Sequence, residues 1–163
     1  MKRIITHWSA GDYTPSDLEK EHYHFMIDGE GKTHTGKYKP EDNYNIADGK
    51  YAKHTKGTNK DSIGVAVLCM AGATERPLSF GKYPLKKLQW DALVLLVASL
   101  CRKYKILVTP KTVLSHAEVE KTLGNKQMGK WDIAYLPFDS TVKGASAVGN
   151  KFRSQVAAAM LKK

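Results

Sequence analysis

Three residues of types that bind metal stand at comparable places along the chain: His7, His116 and Asp132. His7 closes the apolar run Ile4-Ile5-Thr6-His7 and is followed by Trp8-Ser9-Ala10. His116 closes a second run, Val113-Leu114-Ser115-His116, and Asp132 comes sixteen positions later, inside Gly129-Lys130-Trp131-Asp132. Two imidazoles and one carboxylate are a zinc ligand set that leaves the fourth tetrahedral position open for water, as catalytic sites do. Such a water ionises near neutral pH and attacks an acyl carbon. Residue type alone does not select this trio, because the chain has 6 histidines.

The elements that must position these residues are legible from pattern. Residues 2–7 read as a buried strand that ends at His7. A short helix is expected over 16–21, with Ser16 as N-cap before Asp17-Leu18-Glu19. Segments 23–27 and 32–36 read as a hairpin around Asp28-Gly29-Glu30-Gly31. Residues 37–61 are polar and aperiodic, a long loop of the kind that is usually functional in a compact domain. Ser62 to Cys69 is a continuous apolar run suited to a strand covered on both faces.

Pro84 is expected to open a helix running to Tyr104, with Leu85, Leu88, Ala92, Leu96 and Ser99 as its apolar stripe and Leu93, Val97 and Leu100 broadening it. Residues 112–115 form a strand that delivers His116. After Asp132 the chain reads as irregular to about Gly149, and Asn150 is expected to cap a last helix through Leu161. Interleaved strands and helices give an α/β fold, a single domain over residues 1–163 with a mixed central β-sheet flanked by helices.

The chain has 163 residues, 42% hydrophobic and 26% charged, the composition of an ordinary globular domain with one core. No apolar run approaches the ~20 residues that cross a bilayer. The apolar start is too short for a signal peptide, so synthesis in the cytoplasm is expected. Cys69 and Cys101 read as free core thiols. The net charge of +10 favours an acidic partner surface. Its basic residues are dispersed and form no nucleic-acid motif, so no specific nucleic acid is expected, and an anionic bacterial envelope fits equally well.

The residues around the trio carry a family likeness. His7-Trp8-Ser9-Ala10 resembles the His-x-Ser-Ala opening of the type 2 N-acetylmuramoyl-L-alanine amidases, the family of bacteriophage lysozyme-amidases and peptidoglycan recognition proteins. Tyr23-His24-Phe25 resembles its Tyr-His-Phe strand. His54-Thr55-Lys56-Gly57-Thr58-Asn59 followed by Ser62-Ile63-Gly64 is similar to its His-x-x-Gly-x-Asn-x-x-Ser-Ile-Gly segment. Ser115-His116 and Lys130-Trp131-Asp132 follow in the family's order. The likeness covers roughly residues 3 to 136 and implies the amidase and peptidoglycan-recognition fold, with His7, His116 and Asp132 on Zn2+.

The same likeness implies roles for neighbours. Tyr23 falls beside the metal and Lys130 near the scissile carbonyl, where it would donate to the developing oxyanion. The plain alternatives are a strand aromatic and a surface lysine. Many phage members use cysteine as third ligand, whereas this chain follows the Lys-x-Asp pattern. Part of the family places a glutamate base where this chain has Ala66, which moves that burden to Tyr23 or the metal's own water. His54 and Asn59 would border the substrate groove and contact the muramyl or peptide moiety, with solvent exposure the other reading of His54. His24, on the opposite face from Tyr23, reads as a packing residue and not a fourth ligand, and His22 and His34 as surface residues. Stacking on a sugar ring and packing around the metal are both open to Trp8 and Trp131.

The resemblance thus implies hydrolysis of the bond between N-acetylmuramic acid and L-alanine in peptidoglycan, by a monomeric phage or prophage endolysin reaching the wall after release. A cytoplasmic muropeptide-recycling amidase and a non-catalytic peptidoglycan-binding module are the alternatives. In residues 150–163, Phe152, Val156, Ala159 and Met160 form an apolar stripe beside Lys151, Arg153, Lys162 and Lys163. A helix docked on the core is the first reading of that stripe, and a basic amphipathic helix engaging an anionic envelope surface the second.

Overall fold

The structure, a computed structural model, describes residues 1–162. The chain runs through β1 (Arg3–Trp8), α1 (Asp17–His22), β2 (Phe25–Ile27), β3 (Thr33–Thr35), a 3-10 turn (Pro40–Tyr44), β4 (Ser62–Val67), α2 (Lys87–Tyr104), β5 (Val113–Ser115), α3 (His116–Leu123) and α4 (Ala145–Leu161). The strands form one mixed sheet in the order β3-β2-β4-β1-β5. β1 pairs in parallel with β4 on one side and β5 on the other, β4 also pairs in parallel with β2, and only the β2–β3 hairpin is antiparallel. The expected α/β architecture is therefore the one found.

The two sheet faces have different cover. Ile4, Ile63, Val65 and Val67 belong to the main core, which they share with α2 and α4. On the other face, Ile5 and Leu114 pack with Val119 of α3, and Met26 clusters with Ala66 and Leu68. β4 is buried at all six positions, as its continuous apolar run requires. Gly64 of this strand lies under the ring of His54, where a Cβ would meet ring atoms at 2.4 Å. No side chain fits between strand and loop there.

Several boundaries differ from the sequence reading, for local reasons. α1 starts as expected, with Ser16 accepting from the Glu19 amide and Glu19 reaching back to the Ser16 amide, a capping box. Tyr23 terminates this helix and precedes β2. α2 begins at Lys87 and not at Pro84, because Lys86 is extended and its amide is taken by the Gln89 side chain. Its buried face runs through Trp90, Leu93, Val94, Val97, Ala98 and Cys101, whereas Leu88 and Ser99 of the expected stripe are exposed. α4 fixes this rotation: Phe152 stacks edge-on against Trp90 at 5.1 Å, and the Trp90 indole donates to Gln155.

α3 was not anticipated, although Ser115 and Glu118 form its capping box. α4 starts at Ala145 after Gly144, whose φ of +98° suits glycine, so Asn150 lies inside the helix and does not cap it. Phe152 and Val156 are buried, and Ala159 and Met160 pack on the same core. The C-terminal stripe is thus occupied by the fold. Both cysteines are free and buried, and among the described residues no helix is long and apolar enough to cross a membrane.

Candidate metal centre

His7, His116 and Asp132 come together at the carboxyl ends of the parallel strands, where open α/β sheets place their ligand sites. His7 is the fifth residue of β1, His116 is the first residue of α3 directly after β5, and Asp132 lies in the segment that follows α3. One ligand atom from each lies within 4.8 Å of the others. All three are buried, at 1%, 7% and 6% exposure. His7 Nδ1 is 3.1 Å from His116 Nδ1 and 3.1 Å from Asp132 Oδ2, and His116 Nδ1 is 3.5 Å from Asp132 Oδ1.

The outward nitrogens decide what the inward ones can be. His116 Nε2 donates to Gln127 Oε1 at 2.7 Å, and the Gln127 amide donates in turn to the Lys56 carbonyl at 2.8 Å. His54 Nε2 donates to the Ser62 carbonyl at 3.4 Å, which leaves its Nδ1 to accept from His7 Nε2 at 3.1 Å. Both histidines of the trio therefore carry their proton on Nε2 and turn a Nδ1 lone pair inward. Two lone pairs and a carboxylate converge on one buried point. Three acceptors facing each other repel unless a cation sits among them, and the donor set suits zinc.

Electrostatics agree. Burial pushes the His7 pKa down to about 4, against the opposing pull of Asp132. Burial works in the same sense on His116, but Asp132 and Gln127 outweigh it and its pKa is raised. Asp132 is lowered: burial opposes ionisation, and the two histidines prevail. The carboxylate is thus ionised, and the Lys130 charge works against protonation of both imidazoles.

A cavity of about 610 Å³ opens over the trio and includes Tyr23, Lys130, Trp8 and Trp131 in its lining. The Tyr23 ring lies 5.2 Å from that of His7, and burial pushes its hydroxyl pKa up, so it is a hydrogen-bond donor at neutral pH. Lys130 is exposed at the cavity. Trp8 and Trp131 meet edge to face at 4.8 Å, which ties them to each other as packing partners. His54 is buried behind His7 as its support, not held in solvent. Asn59 lines the cavity too, but its Oδ1 accepts from the His54 and Thr55 amides and so fixes the loop.

His24 turns away from the trio, donating from Nε2 to Asn43 at 2.8 Å and accepting from the Gly64 amide at 2.9 Å. His22 and His34 make ordinary contacts, to the Lys53 carbonyl and to Asp28. Ala66 pairs in register with His7 and is fully buried among Met26 and Leu68. The sequence reading missed Gln127. Its one signal is an amide side chain five residues ahead of a ligand.

A sequence profile for a family described as N-acetylmuramoyl-L-alanine amidase matches residues 1–132. No curated protein sequence matches the chain. Among solved structures, the chain is similar to the N-acetylmuramoyl-L-alanine amidase LysC from Clostridium intestinale, with 16% identity, a TM-score of 0.55, and coverage of 96% of this chain and 85% of that one. It is similar to the hydrolase AmiA from Staphylococcus aureus, solved with its ligand, at 12% identity and a TM-score of 0.61, covering 98% and 73%. The N-acetylmuramyl-L-alanine amidase AmiD from E. coli, in complex with the substrate anhydro-N-acetylmuramic acid-L-Ala-D-gamma-Glu-L-Lys, aligns at 18% identity and a TM-score of 0.50, over 72% of this chain and 48% of that one. At such identities the likeness is one of fold, and the match over residues 1–132 carries the assignment: the chain belongs to the N-acetylmuramoyl-L-alanine amidase family.

Proposed function

We propose that this protein is a zinc-dependent amidase that cleaves the bond between N-acetylmuramic acid and L-alanine in peptidoglycan. The observation that carries the zinc reading is the convergence of His7 Nδ1, His116 Nδ1 and the Asp132 carboxylate, with both outward Nε2 protons already committed. When bound, zinc supplies a Lewis acid for the scissile carbonyl and a lowered pKa for water.

The chain's own groups supply the rest. Lys130, at the cavity, donates to the carbonyl oxygen as negative charge develops on it. Tyr23, whose hydroxyl burial keeps protonated, donates a hydrogen bond that orients the attacking water. The Trp8–Trp131 pair forms an apolar wall beside the metal on which a sugar ring can rest. The substrate is a muramyl peptide of the kind named for the E. coli relative, in which a γ-linked glutamate keeps its α-carboxylate free. The intact ligand set favours catalysis over a binding-only module. A phage or prophage origin, and action on the wall after release from the cytoplasm, are parts of the proposal that rest on the sequence resemblance alone.

The test is zinc-loaded protein on a defined muramyl peptide, with products read by mass spectrometry. A new L-alanine amino terminus is the expected product. New reducing sugar ends would identify a glycosidase and overturn the reading.

A further inference from the structure

The cavity over the metal trio has an uneven charge. Lys53, Lys56, Lys126 and Lys130 all line it, and Asp132, already engaged with the two histidines, is the one acidic residue among the lining residues. These four lysines are exposed, and among the described residues none of them pairs with a carboxylate. Lysines elsewhere do: Lys37 with Glu21, Lys87 with Asp91, Lys151 with Asp139, and Lys2 and Lys60 with Asp61.

The segments that carry the four lysines are also tied to one another. Lys53 and Lys56 belong to the loop ahead of β4, and Lys126 and Lys130 to the segment after α3. Asn125 donates to the Gly57 carbonyl at 3.2 Å and Gln127 to the Lys56 carbonyl at 2.8 Å, so the two segments are joined where they meet the cavity. Lys53 lies over the Tyr51 ring, 5.3 Å from its centroid, which restrains it at the edge. Unpaired like charges crowded at one opening cost free energy, and an anionic ligand removes that cost while lysine acts as a point charge that does not demand one geometry.

We infer that the four lysines at the mouth of the cavity recognise free carboxylates on the peptide part of the substrate, so that the enzyme prefers stems with ionised carboxyl groups over stems in which they are amidated. The inference rests on the amidase reading for the identity of the ligand. Lys130 serves the reaction as well, whereas Lys53, Lys56 and Lys126 act in binding. The contacts are solvent-exposed and each is modest, about threefold in affinity. Together three of them give ~30-fold.

Two synthetic muramyl peptides that differ only in having the stem carboxyls free or amidated provide the test. Calorimetry measures their Kd for the zinc-free protein, and turnover by the zinc-loaded protein is followed separately. The free-carboxyl peptide should bind at least ~30-fold more tightly, and the gap should narrow in 0.5 M salt and shrink to about threefold, the share of Lys130, in the Lys53→Gln/Lys56→Gln/Lys126→Gln variant. In turnover the same variant should raise KM for that peptide and leave kcat in place. Equal Kd values for the two peptides, or a preference undiminished in the triple variant, would overturn the inference. An oligonucleotide bound as tightly as the free-carboxyl peptide and released by the same substitutions would also overturn it, showing a general polyanion patch. Binding selectivity without cleavage of either peptide would leave the recognition standing and bring down the amidase reading alone.

Discussion

Arg153 and Glu118 form a two-point ion pair inside the protein, Nη1 to Oε1 at 3.1 Å and Nη2 to Oε2 at 2.9 Å. Arg153 is 8% exposed and Glu118 6%. The pair joins α4 to the first turn of α3, two residues after the ligand His116. Glu118 also accepts from the Ser115 amide at 3.0 Å, and Arg153 donates to the Val113 carbonyl at 3.0 Å, so β5, α3 and α4 meet at this one contact. Gly149 makes room for it, since a Cβ there would lie 2.3 Å from the carboxylate.

Breaking that pair from one side leaves a buried charge. Arg153→Met should lower the free energy of unfolding by about 3–5 kcal/mol. Adding Glu118→Gln, which removes the charge and keeps an acceptor for Ser115, should regain most of the loss. Urea denaturation of both variants decides this, and a double variant no more stable than Arg153→Met would show that the ion pair is not the source.

Each ligand substitution, His7→Ala, His116→Ala or Asp132→Ala, should abolish zinc binding and turnover together. Chelation of the parent protein should lower Tm, because metal binds only the folded state. At a metal concentration 100 times Kd the linkage is about 2.7 kcal/mol, or roughly 5–10 °C for a domain of this size. Full activity and an unchanged melting curve in excess chelator would exclude the centre.

Gln127→Leu tests the outward hydrogen bond of His116. Without Oε1 the imidazole is free to move its proton to Nδ1 and lose its lone pair toward the metal. Zinc affinity should fall about 10–100-fold with the fold intact, read by competition with a chromogenic chelator. Gln127→Glu, which keeps the acceptor, should restore most of it.

Lys130→Ala and Tyr23→Phe should both keep zinc. The first should reduce kcat by something like 10²–10³-fold, as loss of an oxyanion donor does. The second removes one hydroxyl and should lower kcat more than it raises KM. An unchanged rate in zinc-loaded Lys130→Ala would strip Lys130 of its part.

The His24 ring gives a pH dependence independent of the metal. Burial lowers its pKa to about 4 from 6.5, outweighing the Asn43 hydrogen bond, and its Nδ1 accepts from the Gly64 amide, so a second ring proton has nowhere to go. A depressed histidine pKa stabilises the fold fully above pH 6.5 and loses that contribution as pH falls toward 4, since only the unfolded chain takes up the proton. The loss is of order 3 kcal/mol for a shift of this size. Nitrogen-15 spectra of the zinc-loaded protein should show a neutral His24 at pH 5.5, and a protonated ring there would contradict the assignment.

The trio was legible from the family-like residues around it, His7-Trp8-Ser9-Ala10, Ser115-His116 and Lys130-Trp131-Asp132, and the fold brings the three side chains together. Periodicity also gave the sheet, the main helix and the docked C-terminal stripe. It failed where burial depends on distant cover. Leu88 of the expected stripe is exposed while Leu93, Val97 and Leu100 are buried, so leucine spacing rotated the buried face of α2, which Trp90 and Phe152 set. His54 read as a loop residue because nothing local shows that Gly64, ten positions on, leaves a slot for its ring. Gln127 sits among lysines in a polar stretch, and only the tertiary fold brings it to His116. The capping box of Ser115 and Glu118 is the local sequence signal for α3.

The place of β1 between β4 and β5 bears on the order in which the molecule can be born. β1, made before the other four strands of its sheet, finds no lateral partner on one side until residues 62–67 exist, nor on the other until residues 113–115 do. Its His7 meets Asp132 only when position 132 has been made. Pairings so remote in sequence make folding slow, and a nascent chain stopped before β5 carries an open parallel edge that invites aggregation. The cluster of His7, His116 and Asp132 therefore assembles late and all at once, and no chain stopped before position 132 holds it.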